Sequence, residues 1–207
     1  MLESKKLLVV RVDSTGFDPP NDRIIRLELA GFQNGELRFS QSRLVNPGRK
    51  LEPGSERFHG LTDAHLVDAP ALRSRWTDPA SFDPNQTPPA VLIAQSDILV
   101  SWNWKFTDGF LSTEIGPAWV NTKPHLCAME AAKKAGFDGT LAVVISRLGI
   151  SPTSLPAWKS IAAGQILWAI RDRLPRLTPQ QVQCQLDAAR EERDAWFAAN
   201  YGPGQVW

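Results

Sequence analysis

Two side chains near the start of the chain, Arg11 and Asp13, have the position and spacing of a site for phosphate or metal chemistry. They lie two residues apart in an apolar, valine-rich segment, Lys6 to Asp13, which runs into a Ser-Thr-Gly turn. Such a segment predicts a buried strand, and residues two apart on a strand project from the same face. Two carboxylates here would suit a pair of Mg²⁺ ions, which take oxygen ligands and clamp the oxygens of a phosphodiester. In this chain one of the two groups is a guanidinium, which cannot hold a metal ion.

The composition limits the class of protein. The 207 residues are 43% hydrophobic and carry a net charge of +1, which predicts one sizeable core with a short extension. The charge does not indicate a strongly basic nucleic-acid-binding protein, and the basic residues are interspersed with acidic ones. Cys127 and Cys184 lack metal-site spacing. We expect a reduced, cytoplasmic setting, with no leader segment and no membrane-spanning helix.

The elements that must position Arg11 and Asp13 follow from the hydrophobic pattern. Residues 23–30 and 37–45 alternate between apolar and polar side chains around a turn at residues 33–36, which predicts an antiparallel hairpin. A further strand is predicted over residues 97–103, followed by a helix that begins near Thr107 or Asp108. Strands in series followed by alternating helices predict an α/β fold, a mixed β-sheet flanked by α-helices. Other predicted elements are a short helix after Thr62, helices at residues 124–135, 138–148 and 157–174, and an irregular insertion at residues 74–89.

The last part of the chain, residues 177–207, is predicted to be a C-terminal helical extension of a domain formed by residues 1–176. Thr178 is the expected N-cap and Pro179 lies in the first turn of a helix that reaches about Ala199. Its single apolar stripe would either pack back on the domain or dock on a partner protein or a second copy. Trp76 and Trp207 lie in polar segments and could belong to a contact surface.

Five segments, in their order along the chain, resemble the DEDDh branch of the ribonuclease-H-like 3′–5′ exonucleases. This family includes the bacterial polymerase III proofreading subunit and ribonuclease T, and the resemblance extends over residues 6–174. It implies a ribonuclease-H-like fold. Two of the segments resemble the family patterns VNPGRPI and IHGIT, and another resembles LVAHNAxFD. The five segments are Asp13 to Pro19, Asp22 to Ile25, Leu44 to Arg49, Phe58 to Asp63 and Ile98 to Thr107.

The resemblance also implies that most of the family's metal ligands and its catalytic histidine are replaced in this chain. Independently of any alignment, no Asp or Glu occurs between Asp138 and Asp172, and no histidine follows His125. The third family motif, a His followed five residues later by an Asp, therefore has no counterpart. The vestigial positions are Arg11 for the first Asp, Asp13 for the neighbouring Glu, Thr107 for the second-motif Asp, and Trp158 and Ala163 for the third motif.

These replacements lead to an expectation about the site. A guanidinium, a hydroxyl and an alanine cannot hold hard cations, so we expect no metal site, no cofactor and no family-type hydrolysis. Arg11 should form an internal ion pair with Asp13, because a lone half-buried carboxylate is costly. The rings of Trp102 and Trp158 should fill the former active-site pocket and close it to water.

The predicted function is that of a catalytically inactive exonuclease-like protein that acts as a binding or scaffolding module rather than an enzyme. Its partner would be single-stranded nucleic acid, or a protein that contacts the Trp-bearing surface and the C-terminal helix. The alternative is a residual or altered 3′–5′ exonuclease that uses Mg²⁺ or Mn²⁺ held by Asp13 and ligands outside the family pattern.

Six residues are candidates for binding nucleic acid. For Thr15 and Gly16 the favoured explanation is that they serve only the turn that follows the first strand, and nucleotide binding is the alternative. His59 has the character of a hydrogen-bonded loop histidine rather than of a catalytic base. The full set of candidates is Thr15, Gly16, Phe17, His59, Asn103 and Phe106.

Overall fold

A five-stranded mixed β-sheet forms the centre of the protein. The structure is a computed structural model that describes residues 2–72, 87–116 and 123–174. The strands are β1 (Lys6–Ser14), β2 (Ile24–Gln33), β3 (Glu36–Leu44), β4 (Ile98–Ser101) and β5 (His125–Cys127). Their spatial order is β3, β2, β1, β4 and β5. The first three strands in this order are antiparallel neighbours, whereas β4 is parallel to β1 and β5 is parallel to β4.

Helices cover both faces of this sheet. None of those in the described part of the chain is long and apolar enough to cross a bilayer. The fold class predicted from the sequence, a mixed sheet flanked by helices, is confirmed. The helix bounds are α1 (Glu56–His59), α2 (Asp63–Leu66), α3 (Pro89–Gln95), α4 (Trp104–Ile115), α5 (Ala128–Lys134), α6 (Leu141–Leu148) and α7 (Trp158–Ile170), with a 3₁₀ turn at Arg171–Arg173.

The core has two layers, and β1 contributes to both. On one face of the sheet, Leu8, Val10 and Val12 pack in a buried cluster with α3 and α4. On the other face, Leu7 and Val9 pack with α5, α6 and α7. Because strand side chains alternate between faces, a strand buried on both faces has a continuous apolar run, which is the pattern of β1.

The hairpin between β2 and β3 turns at Asn34 and Gly35. Both residues have positive φ, 54° and 79°, which is the requirement of a two-residue type I′ turn and the reason that Asn-Gly is preferred there. A Cβ atom on Gly35 would also collide with the ring of Trp168 in α7. The hairpin predicted from the alternating pattern is confirmed, and its turn fixes the pairing of β2 with β3.

Two element boundaries differ from the prediction. Helix α4 begins at Trp104 rather than near Thr107, because the side chain of Asn103 accepts the N–H of Phe106 at 3.3 Å and caps the helix earlier. Residues 125–127, predicted as helix, pair with β4 instead, which is a long-range contact that local propensity does not contain. Helices α1 and α3 were not predicted. The predicted C-terminal extension and most of the predicted insertion lie outside the described residues, so these two remain predictions.

The connection from β1 to β2 is held by the carboxylate of Asp22. The hydroxyl of Thr15 donates to Asp22 Oδ1 at 2.8 Å, and the N–H of Asp18 donates to Oδ2 at 3.0 Å. The same Thr15 oxygen accepts the N–H of Arg23 at 3.1 Å. A Cβ atom on Gly16 would lie 2.6 Å from Cγ of Asp22. Gly16 is therefore needed for the close approach of this carboxylate, and not for a left-handed backbone conformation.

We expect the substitution Gly16→Ala to lower the free energy of unfolding by about 1–3 kcal/mol, because the new methyl group would displace Asp22 from its hydrogen bonds. Urea unfolding measures the effect. In an Asp22→Ala background the same substitution should cost much less, since the obstructing carboxylate is gone. An equal cost in both backgrounds would contradict the steric explanation.

Candidate functional site

The face of the sheet that carries α7 changes from apolar to charged along β1. Leu7 and Val9 belong to the buried cluster beneath the helices. The next two residues of β1 that project from the same face are Arg11 and Asp13. The antiparallel register between β1 and β2 sets Glu28 opposite Arg11 and Arg26 opposite Asp13. Because paired residues on adjacent strands share a face, four charged side chains meet at one end of the sheet. We call Arg11, Asp13, Arg26 and Glu28 the charge cluster.

Asp13 is the most strongly engaged member of the charge cluster. Its Oδ1 pairs with Nη2 of Arg11, and its Oδ2 pairs with Nη2 of Arg26 and accepts Nε–H of Arg26 at 2.6 Å. Glu28 lies farther from the guanidiniums, 3.4 Å from Arg11 Nη1 and 3.6 Å from Arg26 Nε. The carboxylate side chains are 6% exposed and the guanidinium side chains 19% exposed. The carboxylates therefore lie deeper than the guanidiniums.

This geometry contains the ion pair between Arg11 and Asp13 that the sequence predicted, together with two partners that it did not identify. Arg26 and Glu28 belong to the alternating polar positions of the second predicted strand. The signal that could have found them is their spacing, because residues two apart on a strand project from the same face. The register of β1 with β2, which places these two residues opposite Asp13 and Arg11, was not predicted.

The other vestigial positions have structural contacts. Thr107 is buried, and its Oγ1 lies 2.7 Å from Oγ of Ser101. Ala163 is buried in the apolar cluster of α7, and Trp158, the first residue of that helix, packs against the same cluster. None of these three side chains offers a carboxylate oxygen.

The donor set does not fit two hard cations. At the positions that the resemblance assigns to the family's ligands the one carboxylate is Asp13, and its oxygens already accept from two guanidiniums. Within residues 2–72, 87–116 and 123–174, no group of three or more His, Cys, Asp or Glu side chains lies close enough to hold a metal ion. Mg²⁺ needs several convergent oxygens, which this arrangement does not offer.

An open cleft of about 520 Å³ lies beside the charge cluster. It runs between the turn that follows β1, the segment that contains α1, and the start of α4. The prediction of a filled pocket is therefore wrong. Trp102 lines the wall of the cleft without filling it, and Trp158 instead packs on the apolar cluster of α7. Trp158 is the first residue of α7 and packs with the apolar residues of that helix, so its ring does not line the cleft.

The rim of the cleft carries a group of phenylalanine rings. Phe17 and Phe58 are 74% and 57% exposed, and their ring centroids are 5.8 Å apart in an edge-to-face arrangement. Phe17 also lies 6.4 Å from Phe106, whose ring is 4.9 Å from the fully buried Phe110. The guanidinium of Arg57 lies 4.8 Å from the centroid of the Phe58 ring. We call Phe17, Phe58 and Phe106 the aromatic rim.

All six residues predicted to bind nucleic acid line this cleft, and the structure brings them together from three separate segments. The hydroxyl of Thr15 is used by Asp22 and Arg23, and the side chain of Asn103 caps α4. The apolar surface that faces solvent comes from Phe17 and Phe106. Sequence reasoning missed Phe58, although it adjoins His59 in a segment that it quoted, Phe58 to Asp63. The six residues are Thr15, Gly16, Phe17, His59, Asn103 and Phe106.

His59 is 8% exposed and lies between the cleft and the charge cluster. Its Nδ1 accepts the N–H of Leu61 at 3.1 Å, and its carbonyl oxygen accepts from Nη2 of Arg26 at 3.1 Å. Burial lowers the pKa of His59, while the nearby Asp13 acts in the opposite direction. The neutral ring therefore carries its proton on Nε2. Within the described residues this buried Nε2 has no hydrogen-bond partner.

A third cation, Lys159, lies near the charge cluster in the first turn of α7. Burial lowers its pKa, Arg11 adds to this effect, and Asp13 and Glu28 oppose it. The ammonium group therefore interacts with charges of both signs on β1 and β2. Sequence reasoning did not identify Lys159, because its neighbours in sequence are apolar or small.

The solved structures with a similar fold include exonucleases. Exonuclease X in complex with 5′-overhanging duplex DNA has a TM-score of 0.61 and 16% identity, over 85% of this chain and 96% of that chain. A 3′-exonuclease in 3′-end-specific recognition of a histone mRNA stem-loop has a TM-score of 0.64 and 12% identity, over 82% and 83%. The nuclease domain of 3′hExo, a DEDDh family member bound to rAMP, has a TM-score of 0.56 and 11% identity, over 83% and 96%. The chain therefore has the ribonuclease-H-like fold of the DEDDh exonucleases, as the sequence resemblance implied.

A curated protein is similar to this chain in sequence at low identity. It is a DNA polymerase III of PolC type from Thermotoga petrophila, 21% identical over 152 residues. The match covers 72% of this chain and 10% of the polymerase, so the chain spans about a tenth of that relative's length. No protein-family model matches the sequence.

We expect Asp13→Asn to lower the free energy of unfolding by about 3 kcal/mol, because it leaves two half-buried guanidiniums without their shared carboxylate. Chemical denaturation measures the loss. The control is Glu36→Gln, which removes the carboxylate of an exposed pair 3.0 Å from Arg38 and should cost less than about 1 kcal/mol. Similar costs for the two variants would show that the charge cluster is no more important than a surface ion pair.

Stability should fall as the pH is lowered through the ordinary histidine pKa. Burial lowers the pKa of His59 and of His125, which stacks on Trp104 at 4.6 Å. The unfolded chain then takes up protons first, so stability is full above about pH 6.5 and decreases below it. Thermal unfolding between pH 7.5 and 5.5 measures this slope. His59→Gln and His125→Gln should each make it shallower, and an unchanged slope in both would contradict the assignment.

Proposed function

We propose that this chain binds a single-stranded end of a nucleic acid and does not hydrolyse it. The observation that supports this proposal best is the aromatic rim, which exposes two phenylalanine rings at the mouth of a cleft with charged groups at its floor. The structures with the same fold include exonucleases bound to overhanging duplex DNA, to a histone mRNA stem-loop and to rAMP. Single-stranded nucleic acid is recognised in general by bases stacked on aromatic rings beside cations that contact the backbone.

The aromatic rim is suited to stacking because its rings are held in place before any ligand arrives. Phe106 joins the exposed Phe17 to Phe110 in the core, and the edge-to-face contact fixes Phe58 against Phe17. Little side-chain entropy is then lost on binding. Arg57 lies beside this surface and supplies a cation for the backbone of a bound strand.

The chemistry of the groups that line the cleft supports the proposed absence of hydrolysis. Hydrolysis of this type needs metal-bound oxygens and a base that takes a proton from water. Asp13 is neutralised by Arg11 and Arg26. The Nδ1 lone pair of His59 is used by the N–H of Leu61, so this ring offers the cleft a proton donor and not a base.

Removal of one ring of the aromatic rim tests the binding surface. Phe17→Ala should weaken binding of a 5′-labelled single-stranded oligonucleotide by about 5- to 150-fold, since stacking contributes about 1–3 kcal/mol per base. Fluorescence anisotropy measures the affinity at low salt. Leu155→Ala is the matched control, because Leu155 is an exposed apolar residue that does not line the cleft. Failure of the unmodified chain to bind DNA or RNA oligonucleotides would overturn the proposal.

A nuclease assay tests the second part of the proposal. Single- and double-stranded DNA and RNA, each incubated with Mg²⁺ or Mn²⁺, should remain intact. The Asp13→Ala variant serves as the matched sample. Cleavage by the unmodified chain that this variant loses would establish the alternative function, a residual metal-dependent 3′–5′ exonuclease centred on Asp13.

A further inference from the structure

Arg11 is placed to contact a ligand in the cleft. It lines the cleft and its side chain is 19% exposed, whereas the carboxylates of Asp13 and Glu28 lie deeper at 6%. In the described structure one of its N–H groups, on Nη2, donates a hydrogen bond to Asp13. A guanidinium has five N–H donors, so Arg11 keeps donors available while it stays paired. Among the members of the charge cluster that line the cleft, Arg11 is therefore more accessible than Asp13.

The groups around Arg11 also favour an anion. Arg26 and Lys159 bring the number of cations to three, against the two carboxylates of the charge cluster. The Nε2–H of His59 is a buried donor at the edge of the cleft without a partner among the described residues. An unsatisfied buried donor is costly, and a ligand oxygen would satisfy it. Both observations indicate an anionic ligand with several oxygens.

We propose that Arg11 and His59 form a phosphate-binding site in the cleft, in which the guanidinium takes the place of metal ions and makes binding independent of divalent cations. A guanidinium matches the oxygens of a phosphate through two parallel N–H donors, and its charge is fixed at all relevant pH values. The assignment of the phosphate to a nucleic-acid backbone rests on the proposed function. The phosphate site itself rests on the geometry of Arg11, His59 and the charge cluster.

A charge-balanced double variant, Arg11→Gln with Glu28→Gln, tests the site. It removes one cation and one carboxylate, and Asp13 keeps both of its contacts with Arg26. The matched control is Arg38→Gln with Glu36→Gln, which makes the same change in an exposed pair on β3. Anisotropy of a labelled single-stranded oligonucleotide is measured with excess EDTA and with Mg²⁺.

The unmodified chain and the control should bind equally well in EDTA and in Mg²⁺. The double variant should bind at least about tenfold more weakly, and the slope of log K against log salt should fall by about 0.7 for the lost contact with a single strand. Circular dichroism checks that the double variant is folded. Arg11→Lys is the second variant, because it keeps the charge and loses the paired donors, and it should weaken binding several-fold.

A separate titration with inorganic phosphate and pyrophosphate, read as a thermal shift, distinguishes this inference from the proposed function. Oligonucleotide binding that needs Mg²⁺, or that is the same in both Arg11 variants and the unmodified chain, would overturn the inference and leave the proposed function standing. Stabilisation by phosphate that depends on Arg11, without any oligonucleotide binding, would support the site and overturn the proposed function. If the chain binds neither phosphate nor an oligonucleotide, both the inference and the proposed function are overturned.

Discussion

The sharing of the Asp13 carboxylate between two guanidiniums is the interaction on which the architecture of the site depends. An unpaired carboxylate at 6% exposure would carry a large desolvation cost, and removal of one partner of a buried ion pair is strongly destabilising. Asp13 avoids this cost because Arg11 lies on its own strand and Arg26 lies opposite on β2. On the face of the sheet that carries α7, this end of β1 is therefore held by ion pairs, whereas Leu7 and Val9 are held by apolar packing.

The part of the cluster that lies on β1 could be predicted from the sequence, whereas the part on β2 could not. Residues two apart on one strand project from the same face whatever the strand pairs with. The proximity of Arg11 and Asp13 could therefore be predicted from local sequence alone. Placing Glu28 and Arg26 opposite them requires the register of two strands. A slip of one residue would move both side chains to the other face of the sheet. The Asn34–Gly35 turn fixes the pairing of β2 with β3, but the pairing of β2 with β1 depends on the long connection held by Asp22.

The shape of the cleft depended on information that a single sequence does not contain. The prediction that Trp102 and Trp158 fill the pocket assumed that bulky rings near an emptied site turn into it. Trp158 instead packs on the apolar layer of α7, and Trp102 forms a wall. The rings of the aromatic rim come from three elements: the turn that follows β1, helix α1 and helix α4. They are therefore neighbours only in the folded chain. The individual residues Phe17 and Phe106 could be singled out as candidates, because each belongs to a motif that the resemblance supplied.

A resident arginine and a bound metal ion solve the same electrostatic problem with different chemical consequences. Both supply positive charge where a phosphate would lie, but a metal ion also binds water and lowers its pKa, which generates the nucleophile. A guanidinium donates hydrogen bonds and has no site at which water becomes hydroxide. Under the proposed function, an arginine at position 11 would favour phosphate binding and would supply no attacking hydroxide. On this argument the proposed binding and the proposed lack of hydrolysis are two consequences of one residue, since the ion pair that neutralises Asp13 also presents the cation to the cleft.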